Sequence, residues 1–593
     1  MNDAGEKLAL IRAALKQNSI DAYIIPLSDP HLGENIPDHW KIIQWLTGFT
    51  GSAASVVITD SFAGLWTDSR YFIQAETELE GSGFSLVKPE SFAPSDYTDW
   101  MAEKMDRNGR IGLDGRIISV TSYRKLEKRL RNKNVDIFSD CDIISDIWKE
   151  RPPMPLSEAW DFPVRFAGKD RSVKIKALRE EMKKTGVSMH LLTSVDDIMW
   201  LLNIRGNDVP YSPLCISYAL AGETQFYLFV DRRKIPSFLA SEFESLGIEI
   251  LPYDDTAGMI SSLTEGASIL ITPSTTSVSL YNSIPSRFRI IEDTSIPSRM
   301  KARKNKTEIG NIVRTMIKDG VALAKFFHWL ENNPGLIPMT ELSLTGRLQE
   351  IRAGQEEYLG PSFPTIVAYN EHAASPHYSA NQESDATLGE RGILLVDSGG
   401  QFMGGTTDIT RTISLGSPSA GQKKDFTLVL KGHIALAKAK FPLGTRGSQI
   451  DMLARKALWD NGCDYGHGTG HGVGYCLSVH EGPQSISPAD NKTILEAGML
   501  LSNEPGIYRE GEYGIRTENL VICYEDEETE FGHFLKFDTV SLCYIDKSLI
   551  DKSLLSKEEI GWINSYHSEV FEKTSPLLND EEKMWLREKT ESI

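Results

Sequence analysis

Residues 467–483 read HGTGHGVGYCLSVHEGP, which puts His467, His471 and His480 in one glycine-rich stretch. Imidazoles at this density suit metal binding or proton transfer near neutral pH. A zinc-protease helix also carries two histidines four apart, but it needs a glutamate directly after the first, and Gly468 stands there. Glycines at 466, 468, 470, 472 and 474 would each cost a helix ~1 kcal/mol relative to alanine, so the stretch is read as extended. His467 and His471 then share a face. The glycines strip the other face so that backbone or substrate can approach, and we expect a peptide to lie there. His480, nine residues past His471, needs a turn or bulge if it is to face the same cavity.

Carboxylates occur in matching positions. Asp397 ends the apolar run ILLVD, and Asp408 follows in TTDITRT. The glycine-rich SGGQFMGG between them suits a hairpin reversal, which would bring the two acids together on adjacent antiparallel strands. Glu504 lies in SNEPG and Glu518 in IRTEN. Arg516, two residues before Glu518, points the same way on a strand. Four carboxylates buried together would repel one another and take up protons. Two divalent cations would neutralise them, held ~3.5–4 Å apart by bridging carboxylates. Oxygen-rich ligation with one imidazole favours Mn²⁺ over a thiolate-type zinc site, with Zn²⁺ or Co²⁺ as alternatives.

The elements that must position these groups form a long chain. Its 593 residues exceed what one core organises, so about three domains are expected. Three prolines in ERPPMP (150–155) and the basic run SIPSRMKARKNKTEIG (295–310) divide it into 1–153, 154–303 and 304–593. A helical pattern follows the basic run and ends at a Pro-Gly stop, Pro334-Gly335. The first two segments read as copies of one α/β module. Each has a strand, a Trp-Leu step and a strand ending in Asp-x-Arg: Asp68 and Arg70 in one, Asp231 and Arg233 in the other. We read those pairs as strand-end ion pairs. The third segment is α+β with an antiparallel sheet, and it holds nine of the twelve histidines, so the chemistry is placed there.

A net charge of −19 repels phosphate backbones and anionic membranes, so neither nucleic acid nor membrane is an expected partner. The start of the chain lacks the apolar core of a signal peptide. The six cysteines are scattered without a CxxC pair. Together these suggest a reduced, cytoplasmic protein.

The order Asp397, Asp408, His471, Glu504, Glu518 resembles that of the pita-bread metallopeptidases. GFTGS, WTDSRYF, WLLNIRG, HGTGHGVG, VHEGP, NEPGIY and IRTENL are similar to signatures of the long, three-domain aminopeptidase P (Xaa-Pro aminopeptidase) family. The resemblance spans essentially the whole chain. It implies two creatinase-N-terminal-like domains, a pita-bread catalytic domain with a C-terminal extension, and a homodimer. It also implies release of the first residue from peptides with proline second, by attack of a hydroxide bridging two metal ions. Asp397 would bind one metal, His471 and Glu504 the other, and Asp408 and Glu518 both. His377 and His480 would act on the scissile carbonyl, and Glu504 would carry the proton to the leaving nitrogen. His467 would lie near the proline pocket, or serve as a hydrogen-bonded neighbour of His471. Arg516 would orient Glu518, with contact to substrate as its other reading. Three alternatives remain: a prolidase confined to dipeptides, a metal-free creatinase-like enzyme, and a non-enzymatic binding protein of this fold.

Overall fold

The structure is a computed structural model that describes residues 4–68, 70–88, 96–263, 268–333 and 339–593. The chain divides into two compact units. One comprises Met1–Phe162, Lys169–Pro210 and Leu214–Pro297; the other comprises Pro163–Gly168, Tyr211–Pro213 and Ser298–Ile593.

The first unit contains two six-stranded sheets built to one plan. In the first sheet the strands lie in the order Ser85–Val87, Ala63–Trp66, Ser55–Thr59, Ala22–Pro26, Arg110–Leu113, Asp136–Phe138. In the second the order is Ile248–Leu251, Phe226–Phe229, Tyr218–Gly222, Met189–Leu192, Ser268–Ile271, Arg289–Glu292. Strand directions match position by position: parallel at the first pairing, antiparallel at the next two, parallel at the last two. The repeat read from the sequence is therefore a repeat of topology. Helix Ala4–Gln17 opens the unit and buries Ala4, Leu8, Ile11 and Leu15, the spacing of a single apolar stripe.

Both Asp-x-Arg motifs form ion pairs on themselves. Arg70 Nη2 lies 2.7 Å from Asp68 Oδ2, and Arg233 Nη2 lies 2.6 Å from Asp231 Oδ2. Asp114 and Arg116 repeat the device at 2.7 Å. A cavity of ≈ 500 Å³ in this unit, walled by Trp40, Tyr218 and Tyr253 among others, contains none of the expected site residues.

The second unit opens on helix Lys306–Asn332. Its start is fixed by a capping box, in which Asn305 Oδ1 accepts from the Glu308 amide and the Glu308 carboxylate accepts from the Asn305 amide. The Pro-Gly stop expected for this helix lies outside the described residues. A six-stranded, wholly antiparallel sheet runs Lys440–Pro442, Gly532–Thr539, Asn519–Thr529, Leu500–Asn503, Gly470–Gly472, Glu481–Ile486. A second antiparallel sheet has Gly392–Ser398 between Ile366–Tyr369 and Ile409–Leu415. The central run Ile393–Val396 is buried on both faces, as its unbroken apolar sequence requires.

The reversal between Asp397 and Asp408 is more than a hairpin loop. Gly400–Phe402 and Gly405–Thr406 pair with each other, and Gly400–Phe402 also pairs with Tyr358–Pro361, making a separate small sheet. Helices Lys557–Thr574 and Asp580–Lys589 close the chain. Among the described residues no helix is long and apolar enough to cross a membrane.

Candidate metal centre

The acids are delivered by strand ends. Asp397 is the penultimate residue of its strand, with Thr410 as its cross-strand neighbour. Asp408 immediately precedes the strand Ile409–Leu415. Glu504 follows Leu500–Asn503, and Glu518 precedes Asn519–Thr529. Because Asn503 pairs with Asn519, these two glutamates leave neighbouring strands at the same end. His471 is the middle residue of Gly470–Gly472 in the same sheet.

Side chains of Asp408, His471 and Glu518 offer ligand atoms that all lie within 4.8 Å of one another. His471 Nε2 is 3.3 Å from Asp408 Oδ2 and 3.4 Å from Glu504 Oε1. Ser502 links two members: its Oγ accepts from the His471 amide at 2.9 Å and donates to Glu504 Oε1 at 3.0 Å. Thr410 does the same on the other side, donating to Glu518 Oε2 at 2.7 Å and accepting from Arg516 Nε at 3.2 Å.

The electrostatics are those of a site short of positive charge. Burial raises the Asp397 carboxyl above its usual range; Arg516 opposes the shift and Asp408 adds to it. Burial likewise raises Glu504, with His471 opposing and Asp408 adding. Glu518 is pushed well up by burial and then by the charges of Asp408, Glu504 and Asp397. Burial would lower His471, but the Asp408 and Glu504 carboxylates outweigh it and lift the imidazole to about 9. Asp397 Oδ1 is buried and accepts no hydrogen bond. The Gly472 carbonyl, which can only accept, lies 2.9 Å from His471 Nδ1. That nitrogen therefore carries the proton, and Nε2 faces two carboxylates. A free oxygen, an outward imidazole nitrogen and surplus negative charge fit divalent cations.

Around this centre the histidines separate. His480 is exposed, and its ring stands edge-on to His471 with centroids 4.2 Å apart. The expected irregularity is present: the pairing of Gly470–Gly472 with Glu481–Ile486 shifts register between His471 and Gly472. His377 lies half-buried in the turn after the short helix Asn370–Ala374, next to Pro376, whose carbonyl accepts from Arg516 Nη2 at 3.3 Å. His467 does not share His471's strand. Its Nδ1 is 2.7 Å from the Gly468 carbonyl and its Nε2 2.8 Å from Tyr508 Oη. Both ring nitrogens are engaged within the protein, as a hydrogen-bonded neighbour requires.

Two expectations need correction. Arg516 does not orient Glu518 directly. Its Nη2 donates to Asp397 Oδ2 at 2.6 Å and its Nη1 to Tyr508 Oη at 2.7 Å, and Thr410 relays it to Glu518. All three of its nitrogens therefore donate within the protein. Gly470 and Gly472 are bare for the chain's own backbone, where a peptide was expected. A Cβ on Gly470 would sit 2.0 Å from the Ser502 carbonyl oxygen, and one on Gly472 would sit 2.2 Å from that of Glu481.

Sequence reading missed Thr410, Ser502 and Tyr508. The first two lie two residues from Asp408 and Glu504, so alternation along a strand was the signal available. Tyr508 lies on the next strand, past Pro505, so alternation from Glu504 carried no such signal.

Comparison with known proteins places the chain in a family. Residues 311–525 match the model of metallopeptidase family M24, and 533–593 match the C-terminal region of peptidase M24. Residues 7–145 and 150–308 each match a creatinase/prolidase N-terminal domain. Aminopeptidase P2 of Arabidopsis thaliana is 38% identical, over 99% of this chain and 88% of its own. The chain belongs to the aminopeptidase P family. Another aminopeptidase P relative, Xaa-Pro aminopeptidase 1 of Dictyostelium discoideum, is 37% identical over 98% of this chain and 95% of its own. Among solved structures, the X-prolyl aminopeptidase of Caenorhabditis elegans, described as a cytosolic enzyme with a di-nuclear active site, aligns with a TM-score of 0.95 at 34% identity and covers 100% of both chains. A prolidase from Thermococcus sibiricus, 24% identical, shares the fold over 64% of this chain and 98% of its own, with a TM-score of 0.51.

Proposed function

We propose that this chain is a metal-dependent aminopeptidase that removes the first residue from peptides with proline at the second position. The observation that carries the reading is the meeting of Asp408, His471 and Glu518, flanked by Asp397 and Glu504, with Arg516 as the fixed cation hydrogen-bonded to one of the four acids. In this reading Asp397, Asp408, His471, Glu504 and Glu518 would hold two divalent cations, Asp397 one of them, His471 and Glu504 the other, with Asp408 and Glu518 shared. Such a pair, when bound, lowers the pKa of a shared water and supplies a nucleophile at neutral pH; manganese suits this oxygen-rich set.

The chain's own residues do the rest. His480 and His377 donate to the scissile carbonyl as negative charge develops on its oxygen, and one such donor contributes ~2.7–4 kcal/mol. Glu504, held by Ser502, passes a proton to the leaving proline nitrogen. Arg516 fixes Asp397 in place and pins the turn before His377 through the Pro376 carbonyl. His467 buttresses Tyr508, which accepts from Arg516.

The length matched by the long relatives supports the aminopeptidase over a dipeptidase. The division into domains at 1–153, 154–303 and 304–593 is supported by the two like sheets and by the separate family matches. The scatter of the six cysteines without a CxxC pair and the cytosolic relative support a cytoplasmic setting. Family resemblance supports a homodimer, which analytical ultracentrifugation tests.

The deciding experiment follows amino acid released by the manganese-loaded protein from Arg-Pro-Pro, Ala-Pro and Ala-Ala-Ala. Cleavage of Arg-Pro-Pro is expected. Activity on Ala-Pro alone makes the protein a prolidase, and activity only on Ala-Ala-Ala overturns the proline assignment.

A further inference from the structure

The basic run at 295–310 is absorbed by no step above, yet two of its lysines are buried in the second unit. Lys301 Nζ lies 2.9 Å from Glu481 Oε2, and Lys304 Nζ lies 2.6 Å from Glu481 Oε1. The side chains of Lys301, Lys304 and Glu481 are 3%, 0% and 1% exposed. Lysine is almost never buried this completely unless paired, and here two share one carboxylate. The lysine backbone is also tied down: the Lys304 amide donates to the Gly498 carbonyl at 2.9 Å, and Arg303 bridges to Met499.

Glu481 is the residue after His480, and its backbone pairs with Gly472, the residue after His471. His480 is the bend residue joined directly to the first residue of the strand Glu481–Ile486. The Glu481 side chain is locked inward, and the His480 ring is outward against His471. Fixing the first therefore sets the direction of the second. The absence of a Cβ on Gly472 lets the Glu481 carbonyl come close enough for this pairing.

We propose that Lys301 and Lys304 are positioning residues for the peptidase reaction: by clamping Glu481 they hold the His480 imidazole at the metal centre. This rests on the reading of His480 as a donor to the scissile carbonyl. Lys304→Met is the informative variant, because it leaves Lys301 and Glu481 as a balanced pair and so removes a surplus buried charge. Lys301→Met is made in parallel as its equivalent.

Turnover of Arg-Pro-Pro, KM, bound metal and thermal melting are measured in the native and His480→Ala backgrounds. Lys304→Met is expected to lower kcat roughly tenfold, as loss of an outer support does, with KM and metal content unchanged and Lys304→Arg restoring the rate. In the His480→Ala background it is expected to change kcat by less than about twofold, since residues acting as a unit are not additive. An equal loss in both backgrounds, or an unchanged kcat in the native one, overturns the proposal. If His480→Ala alone leaves kcat intact, the role of His480 fails, and that result is distinguishable from failure of the clamp.

Discussion

In the first unit, the Asp-x-Arg aspartates that follow strands carry their own cations. Lys234 meets Asp208 at 2.8 Å with both side chains buried, and Asp68, Asp114 and Asp231 each hold the arginine two residues on. In the second unit, Asp397, Asp408, Glu504 and Glu518 converge with one guanidinium and one imidazole among them. Elsewhere in that unit buried acids are paired as in the first, Asp319 with Arg352 and Asp451 with Arg455, each at 2.7 Å. A carboxylate with a neighbouring cation is finished structure. A group of carboxylates without enough cations is a binding site, because the missing charge must arrive from outside. The contrast locates the chemistry without reference to any motif.

Breaking the contrast at the centre has the largest effect. Asp408→Asn or Glu518→Gln removes a shared ligand and is expected to cost on the order of 10³-fold or more in kcat/KM, with bound metal lost and far-UV dichroism unchanged. A variant that keeps its metal and its rate shows that the residue is no ligand. Arg516→Lys keeps the charge but loses the fork that reaches Asp397, Tyr508 and Thr410 together. A loss of roughly 10–100-fold is expected, and steady-state kinetics at saturating metal checks it.

Buried histidines sharpen the comparison through pH. Burial holds His31 in the first unit at about 4, and His433 and His567 in the second at about 3 and about 4. These neutral imidazoles have folded values below the unfolded 6.5. Their contribution is fully present above pH 6.5 and is lost as pH falls from there through about 4, at up to ~1.4 kcal/mol per histidine per pH unit. Imidazole resonances of the folded protein should show no titration midpoint for these three histidines between pH 7 and 5, and a midpoint near 6.5 contradicts it. The smallest effect belongs to the self-contained pairs. Asp231→Asn breaks an exposed ion pair, so a stability change below about 1 kcal/mol is expected, with kcat/KM untouched.

Much of this was legible in sequence. The ILLVD run gave both a buried strand and its terminal acid, and the repeated Asp-x-Arg steps announced two like modules. The glycines of HGTGHGVG correctly excluded a helix, but sequence could not say what approached them. The answer, Ser502 and Glu481, lies on two neighbouring strands of the sheet. The same limit hid the partner of Arg516: Asp397 is 119 residues away, so only the folded chain brings them together. Lys301 and Lys304 stand in a run read only as a basic divider between segments; nothing local signals that both are buried on a glutamate far along the chain.

The central claim is that these acids converge because cations complete them. The most direct measurement is the divalent metal content of protein purified without chelator and dialysed against manganese, by plasma mass spectrometry beside Glu518→Gln. The expected result is two ions per chain, reduced in the variant. Fewer than one ion per chain in the native protein, with the fold intact, would contradict the account.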